Sequence, residues 1–159
     1  MPVDKGKHRK PMQDVVMCED KRKKENTLIM HSEENSKILQ WYSLDLKVMY
    51  TEEVPCKGQS DRVLSVAFQD LSQSLYSFGP QGTEAVYGVL CTDHILYFYI
   101  RIRARIELFH QIDLSGIEAQ VKVWYMPLHK AWLTAGKDFK IRQWNVSPLA
   151  KKSLMDDDP

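Results

Sequence analysis

The chain has 159 residues and a formal net charge of +1, with 43% hydrophobic and 27% charged residues. This length and composition are those of one globular domain with a substantial core. A net charge so close to zero argues against a dedicated nucleic-acid-binding protein, which usually carries a basic excess.

Cysteine usage and hydropathy favour a soluble, cytoplasmic protein. The three cysteines, Cys18, Cys56 and Cys91, are odd in number and none pairs at C-x-x-C spacing, so we expect reduced thiols rather than disulfides or a zinc site. The charged N-terminus is not followed by the apolar run of a secretory signal. The longest apolar run, residues 94–100, is far shorter than the ~20 residues that a membrane-spanning helix needs.

Short segments rich in β-branched and aromatic residues, separated by polar or Gly/Pro clusters, predict strands along most of the chain. Residues 1–12 and 148–159 predict flexible tails, the first basic and the second acidic. The predicted strands are 14–19, 27–32, 37–42, 47–51, 62–68, 85–91, 94–100, 106–112, 120–125, 131–135 and 139–145. The polar stretch 69–84 predicts a loop, with room for a helical turn at 70–78. So many short strands indicate an all-β sandwich, barrel or propeller.

A repeated pentapeptide distinguishes between these folds. Lys37–Trp41 (KILQW) recurs as Lys140–Trp144 (KIRQW), with a weaker copy at His94–Phe98 (HILYF). The aromatic positions 41, 98 and 144 are separated by 57 and 46 residues. The second interval is close to the ~40–45 residues of a propeller repeat, and the loop at 69–84 supplies the extra length of the first. The repeat therefore predicts three units, at about 13–55, 56–114 and 115–147.

Residues Trp132–Asn145 resemble the second hairpin of a WD40 repeat. As in that family, a small-residue run that includes Thr134 closes one strand, Asp138 stands in the turn, and an apolar–basic–variable stretch leads to Trp144. The resemblance covers roughly residues 13–147. It implies an all-β, incomplete WD40-like β-propeller of about three four-stranded antiparallel blades.

The other two units depart further from the family pattern. The first has Asn35 in the turn and Trp41 at the aromatic position. The middle unit has Phe98 in place of Trp, with Thr92 at the position of the turn Asp. The Gly-His pair that precedes the first strand of a WD40 repeat is missing, since Ile117 follows Gly116.

The resemblance also implies structural roles for the matching residues. The family's hydrogen-bond network joins that His to a Ser or Thr, the Asp and the Trp. Without the His, we expect a partial network through Thr134, Asp138 and Trp144. Trp144 is expected to be buried between blades, and Asp138 is expected to accept hydrogen bonds inside its turn.

Two basic features have a functional and a structural interpretation. Arg101, Arg103 and Arg105 alternate with apolar residues, so an extended segment would place all three on one face, where they could grip an acidic partner or phosphates. The alternative is an exposed outer strand whose charges block edge-to-edge aggregation. The basic run 21–24 is either an anion-binding or nuclear-import patch or a solvated turn flanked by acidic residues.

The sequence predicts no enzyme and no cofactor. Cys91, Asp93 and His94 are close in sequence, but no oxyanion motif or third orienting group accompanies them. The five histidines show no metal-ligand spacing, and Asp156–Asp158 lacks the Gly and Glu of a calcium-binding loop. The glycines are scattered and form no phosphate-binding loop.

The resemblance implies a non-catalytic protein–protein interaction scaffold, within a larger cytoskeletal or ciliary WD-repeat protein. The alternative is an anion or nucleic-acid contact module that uses the three arginines and the basic run. Three blades are fewer than the 4–8 of closed rings, so we expect a fragment or short isoform, or completion of the ring by a partner or by self-association. Both end units offer apolar residues where a cap would be polar: Val15, Val16, Met17, Leu28 and Ile29 in the first, and Val121, Val123, Trp132, Leu133 and Ile141 in the last.

Overall fold

A computed structural model describes residues 12–19, 27–33, 36–43, 45–71, 83–102 and 105–146, with side chains from residue 36 onward except that of Thr83. The predicted tails at 1–12 and 148–159 lie outside these ranges apart from Met12, and the basic run 21–24 lies outside them entirely. The predicted helical turn at 70–78 also falls outside, except for Asp70 and Leu71.

Eleven strands are formed by the described residues, and each lies within two residues of its predicted bounds. They are β1 Met12–Glu19, β2 Thr27–Glu33, β3 Ile38–Tyr42, β4 Val48–Glu53, β5 Val63–Asp70, β6 Thr83–Cys91, β7 Ile95–Ile102, β8 Arg105–Asp113, β9 Gln120–Met126, β10 Ala131–Gly136 and β11 Ile141–Trp144. The described part of the chain contains no helix that is long and apolar enough to cross a membrane.

The strands form three antiparallel sheets, in each of which neighbours in sequence are neighbours in space. The first sheet has the order β1-β2-β3-β4, the second β5-β6-β7-β8 and the third β9-β10-β11. The first strand of the second sheet, β5, lies beside β1 on one side and beside β9 on the other. The three sheets therefore fan out from a line formed by their first strands.

Aromatic side chains fill the space between the first and second sheets. Trp41 of β3 is completely buried, and its ring meets Tyr87 of β6 edge-on, with the ring centroids 5.3 Å apart. Leu39, two residues earlier, shares this core because alternate residues of a strand point to the same face. A buried Trp of this kind removes ~150–250 Å² from solvent.

A second core lies between the second and third sheets. Phe98 of β7 and Trp132 of β10 are both buried, and their rings meet edge-on at a centroid distance of 5.0 Å. Gly88 makes room for the indole, since a Cβ atom there would lie 2.6 Å from Trp132 Cζ3. The backbone N–H of Val123 donates to Ser65 Oγ at 3.2 Å, which ties β9 to β5.

The middle sheet is covered on both faces, and its sequence reflects this. All eight residues of β7 are buried. Tyr97 and Tyr99 face the first sheet, whereas Leu96 and Phe98 face the third. A strand buried on both faces needs no alternation of polar and apolar residues, which explains the continuous apolar run in this part of the chain.

Twisted antiparallel meanders that pack face to face, with their first strands side by side, are the blades of a β-propeller. The predicted fold, an all-β and incomplete β-propeller of about three antiparallel blades, is confirmed. Within the described residues the third blade has three strands and ends at β11.

Candidate functional site

The third sheet leaves one apolar face uncovered. Val123 and Trp132 point to the second sheet, so the alternate residues of β9 and β10 point away from it. What we call the outer face comprises the larger apolar residues on this side of the sheet: Trp124 and Met126 of β9, Leu133 of β10, and Ile141 of β11 opposite Ala135. Trp124, Met126 and Ile141 are 42%, 39% and 67% exposed. Apolar residues clustered on one exposed sheet face are typical of an interaction surface.

The corresponding face of the first sheet carries both polar and apolar residues. Gln40, Tyr42 and Thr51 lie on the side of that sheet opposite Trp41, and the Tyr42 hydroxyl donates to Gln40 Oε1 at 2.8 Å. The apolar residues that the sequence predicts to be exposed in the first unit have no described side chains: Val15, Val16, Met17, Leu28 and Ile29. Ile38 and Val48, on the same side of the first sheet, are 40% and 49% exposed, so exposed apolar residues occur on the outward faces of both the first and the third sheet.

The apolar residues predicted to be bare in the last unit divide between its two faces. Leu133 and Ile141 lie on the outer face, as expected. Val123 and Trp132 are buried against the second sheet, so the prediction that they are bare is wrong. Alternation along each strand separates them, and composition alone does not show which face a neighbour covers.

Asp138 holds the turn between β10 and β11, as predicted. Its Oδ1 accepts a hydrogen bond from the backbone N–H of Lys140 at 3.2 Å. Its carboxylate also accepts two bonds from the Arg142 guanidinium, one of them 2.7 Å long at Oδ2. Gly136 lies close beside it: a Cβ atom there would lie 2.6 Å from Asp138 Oδ1, so the carboxylate would have to shift.

Arg142 lowers the pKa of the Asp138 carboxyl below its ordinary value, because its hydrogen bonds favour the ionised form. The ion pair therefore stabilises the fold above the ordinary pKa of Asp, and this stabilisation is lost as pH falls through the lowered value. We expect a carbon-detected NMR titration to show Asp138 titrating below a typical Asp, and Arg142→Gln to raise its pKa. The pKa of Asp113, which hydrogen bonds from Ser115 lower, should not move. An unchanged Asp138 titration in Arg142→Gln would contradict the pairing.

The partial network expected around Trp144 is present as two separate pairs. The Trp144 indole N–H donates to the hydroxyl of the fully buried Thr134 at 2.9 Å, while Asp138 pairs with Arg142 instead. Trp144 is half-buried against the second core rather than enclosed. The enclosed ring of this blade is Trp132, directly opposite Trp144 in the register. Its position two residues before Thr134, and so on the same strand face, is the signal that could have identified it.

The middle unit aligns one residue later than the sequence repeat suggests. Asp93, not Thr92, occupies the turn: its Oδ1 accepts from the backbone N–H of Ile95, as Asp138 accepts from Lys140. His94 and Phe139, the next residues in the two turns, share a positive φ of 64° and 62°. Trp144 lies six residues after the turn residue Asp138. Its counterpart in the middle unit is therefore Tyr99, six residues after Asp93.

The three repeated aromatic rings do not all point to the same side of their sheets, which agrees with the one-residue offset. Trp41 and Phe98 point toward the following sheet, whereas Trp144 points toward the preceding one. The three aromatic positions of the repeat are therefore inter-sheet residues, but they do not occupy one equivalent site.

Three potential ligand groups meet where the first blade joins the second. Cys56 follows β4, Cys91 ends β6, and Asp93 lies in the turn after it; their sulfur and oxygen atoms all lie within 4.8 Å of one another. We call these residues the Cys–Cys–Asp cluster. Tyr97 fixes the carboxylate by donating to Asp93 Oδ2 at 2.5 Å. The sequence shows Cys91 and Asp93 close together but gives no sign that Cys56, 35 residues before Cys91, joins them.

The two thiols of the cluster are electrostatically distinct. A hydrogen bond from Cys91 lowers the pKa of Cys56. The same hydrogen bond and burial raise the pKa of Cys91. Cys56, which is also partly exposed, is therefore the more reactive thiol of the two.

The single-face geometry predicted for the arginines is wrong. Arg101 is the residue before the last of β7 and Arg105 begins β8, with Arg101 opposite Ile106 and Ile102 opposite Arg105. The two arginines therefore lie on opposite faces of a hairpin, and Arg103 lies outside the described residues. Arg101 is buried and pairs with Glu84 at 2.7 Å. This removes the geometry on which an anion-binding module rested.

Two solved chains share the fold at TM-scores above 0.5, and a third is less similar. A chain of the mitotic checkpoint complex matches with a TM-score of 0.57 and 13% identity, over 85% of this chain and 36% of that chain. A structure of BBS1N in complex with ARL6DN matches with a TM-score of 0.58 and 9% identity, over 85% of this chain and 37% of that one. The β-propeller domain of Cps50 (Swd1) from Myceliophteria thermophila matches with a TM-score of 0.41 and 11% identity, over 85% and 53%.

The likeness is one of fold, given these identities. This chain spans 36% and 37% of the length of the first two solved chains. No family model matches the sequence, and no curated protein matches it.

Proposed function

We propose that this protein is a non-catalytic protein-interaction scaffold built from WD40-type repeats, and that the outer face of its third sheet is its main binding surface. The observation that carries the proposal is the exposure of Trp124, Met126 and Ile141 on a sheet whose other face packs on the second sheet. A large exposed aromatic residue is a frequent anchor of protein-interaction surfaces.

The repeat type and the cytoplasmic location are parts of the same proposal. The Asp138 turn and the bond from Trp144 to Thr134 support a WD40-type third blade. Three cysteines without C-x-x-C spacing support a reducing compartment. The proposal includes membership of a larger cytoskeletal or ciliary WD-repeat protein, which the sequence resemblance implies.

The occupant that fits the outer face is another β-sheet with an apolar face. The inner face of the same sheet already shows this mode, because Val123 and Trp132 pack on the apolar side of the second sheet. The next blade of a longer propeller or a partner's blade supplies such a sheet in the assembled protein. For this chain alone, a second copy is the available occupant.

Sedimentation velocity tests this proposal on the isolated chain. We expect the sedimentation coefficient to rise with concentration in the micromolar range, because the outer face associates. Ile141→Lys should abolish the rise, since it places a charge in an apolar contact. Phe139→Ser is the matched control: Phe139 is 98% exposed but sits in the turn beside the outer face. A concentration-independent monomer, or an equal effect of both variants, would contradict the proposal.

A further inference from the structure

We propose that the Cys–Cys–Asp cluster is a binding site for a thiophilic divalent cation, with Zn²⁺ as the best-fitting ion. Cys56 Sγ, Cys91 Sγ and a carboxylate oxygen of Asp93 converge within 4.8 Å of one another. Two thiolates and one carboxylate are a donor set that zinc accepts, and softer ligands favour it over magnesium or calcium.

The spacing of the three groups suits one tetrahedral ion. With Zn–S bonds of about 2.3 Å, two sulfurs on the same tetrahedral zinc lie about 3.8 Å apart. The three ligand atoms of the cluster all lie within 4.8 Å of one another, so no pair exceeds that separation by more than about 1 Å. The fourth position falls to a water molecule on the side of Cys56, because Cys56 is the partly exposed member.

The surroundings of Asp93 orient it as a ligand. Its Oδ2 accepts from the Tyr97 hydroxyl at 2.5 Å and from the backbone N–H of Lys57 at 3.2 Å. Its Oδ1 accepts from the backbone N–H of Ile95 alone among the described residues, which leaves a lone pair of that oxygen for the ion. Outer-shell donors of this kind hold a metal-bound carboxylate in place.

Burial and charge are consistent with a cation between these groups. Cys91 and Asp93 are 1% and 8% exposed, so their negative forms need a partner other than bulk water. Two thiolates and a carboxylate carry three negative charges, of which Zn²⁺ neutralises two. Lys37 is close enough to act electrostatically on Cys56 and offsets part of the remainder.

The ion would connect the first two blades. Cys56 lies in the segment that leaves the first sheet, whereas Cys91 and Asp93 belong to the second. Binding releases the two thiol protons to solvent as the two S–Zn bonds form, and no oxidation takes place. Because the ion binds the folded arrangement, it should raise the melting temperature of the chain.

Cobalt substitution tests the site directly. The reference is the full chain with Cys18→Ser, which removes the third thiol, kept reduced under anaerobic conditions. We expect Co²⁺ to bind with 1:1 stoichiometry and to give both the visible bands of a tetrahedral ion and a thiolate-to-cobalt charge-transfer band. Zn²⁺ should displace Co²⁺ and raise the melting temperature.

Variants test whether Co²⁺ binds to the Cys–Cys–Asp cluster or elsewhere on the chain. Cys56→Ser should remove the charge-transfer band or weaken Co²⁺ binding at least tenfold, and its partly exposed position makes it tolerant of substitution. Asp93→Asn should weaken binding, whereas Asp113→Asn should not, since Asp113 is an exposed carboxylate paired with Lys57. Absence of the bands in the folded reference chain, or an unchanged Co²⁺ affinity and charge-transfer band in Cys56→Ser, would overturn the proposal. Loss of both thiols to an intramolecular disulfide in place of metal binding would also overturn it.

Discussion

Trp132→Ala is expected to lower the free energy of unfolding by about 3–5 kcal/mol, the usual cost of truncating a buried aromatic residue. The indole is 1% exposed and lies against Phe98 and Tyr125, with ring centroids 5.0 and 4.9 Å away. Its removal leaves a cavity between the second and third sheets, which share no covalent link other than the chain. Urea unfolding followed by circular dichroism measures the change.

The control is the half-buried tryptophan directly opposite in the sheet. Trp144→Ala removes the same side chain and a hydrogen bond to Thr134, but it should cost less than Trp132→Ala because solvent already covers part of the ring. A greater loss in Trp144→Ala would contradict the assignment of Trp132 as the enclosed residue.

Gly88 gives a second test of the same contact. Gly88→Ala forces a Cβ atom to within 2.6 Å of the indole, so we expect a loss of about 1–3 kcal/mol from overpacking. In a Trp132→Leu background the smaller side chain should remove most of this loss. Additive losses in the double variant would mean that Gly88 and Trp132 do not meet.

Trp41→Ala is expected to have an effect of similar size, about 3–5 kcal/mol, at the other inter-sheet contact. Trp41 is completely buried and contacts Tyr87 and Tyr50, with ring centroids 5.3 and 6.5 Å away. It joins the first sheet to the second, so truncation should expose the first sheet to early unfolding. Amide exchange should show lost protection in β3 before it is lost in β10.

The matched control for Trp41 is Trp124, whose ring lies on the outer face. Trp124→Ala makes the same chemical change where 42% of the residue is already exposed, so the free energy of unfolding of the monomer should fall much less. Equal losses in the two variants would contradict the placement of Trp41 between sheets.

Strand positions could be predicted from the sequence because, in this fold, local breaks in the apolar pattern mark where each strand begins and ends. Polar clusters and turns separate the apolar segments, and each hairpin pairs neighbours in sequence, so no long-range pairing had to be guessed. The hairpin around Asp138 was also accessible, since a turn Asp bonds to the backbone two residues later.

Face assignments could not be predicted because a shift of one residue reverses them. The pentapeptide repeat aligned Phe98 with Trp144, but the turn at Asp93 begins one residue later than assumed and makes Tyr99 the counterpart. The prediction for the arginines was wrong for a related reason: β7 ends at Ile102 and the antiparallel β8 begins at Arg105, so the segment treated as one strand belongs to two. The Cys–Cys–Asp cluster depends on how two blades meet, which no local pattern contains.

Hydroxyl-radical footprinting over a range of protein concentrations tests the central claim, that the outer face of the third sheet is the interaction surface. We predict that oxidation of Trp124 and Met126 slows as concentration rises, because association covers them. Oxidation of Phe139 and Leu128, which are 98% and 86% exposed in the turns of the same sheet, should continue at a constant rate. Unchanged rates at Trp124 and Met126 in a chain that associates, or equal protection of all four residues, would contradict the account.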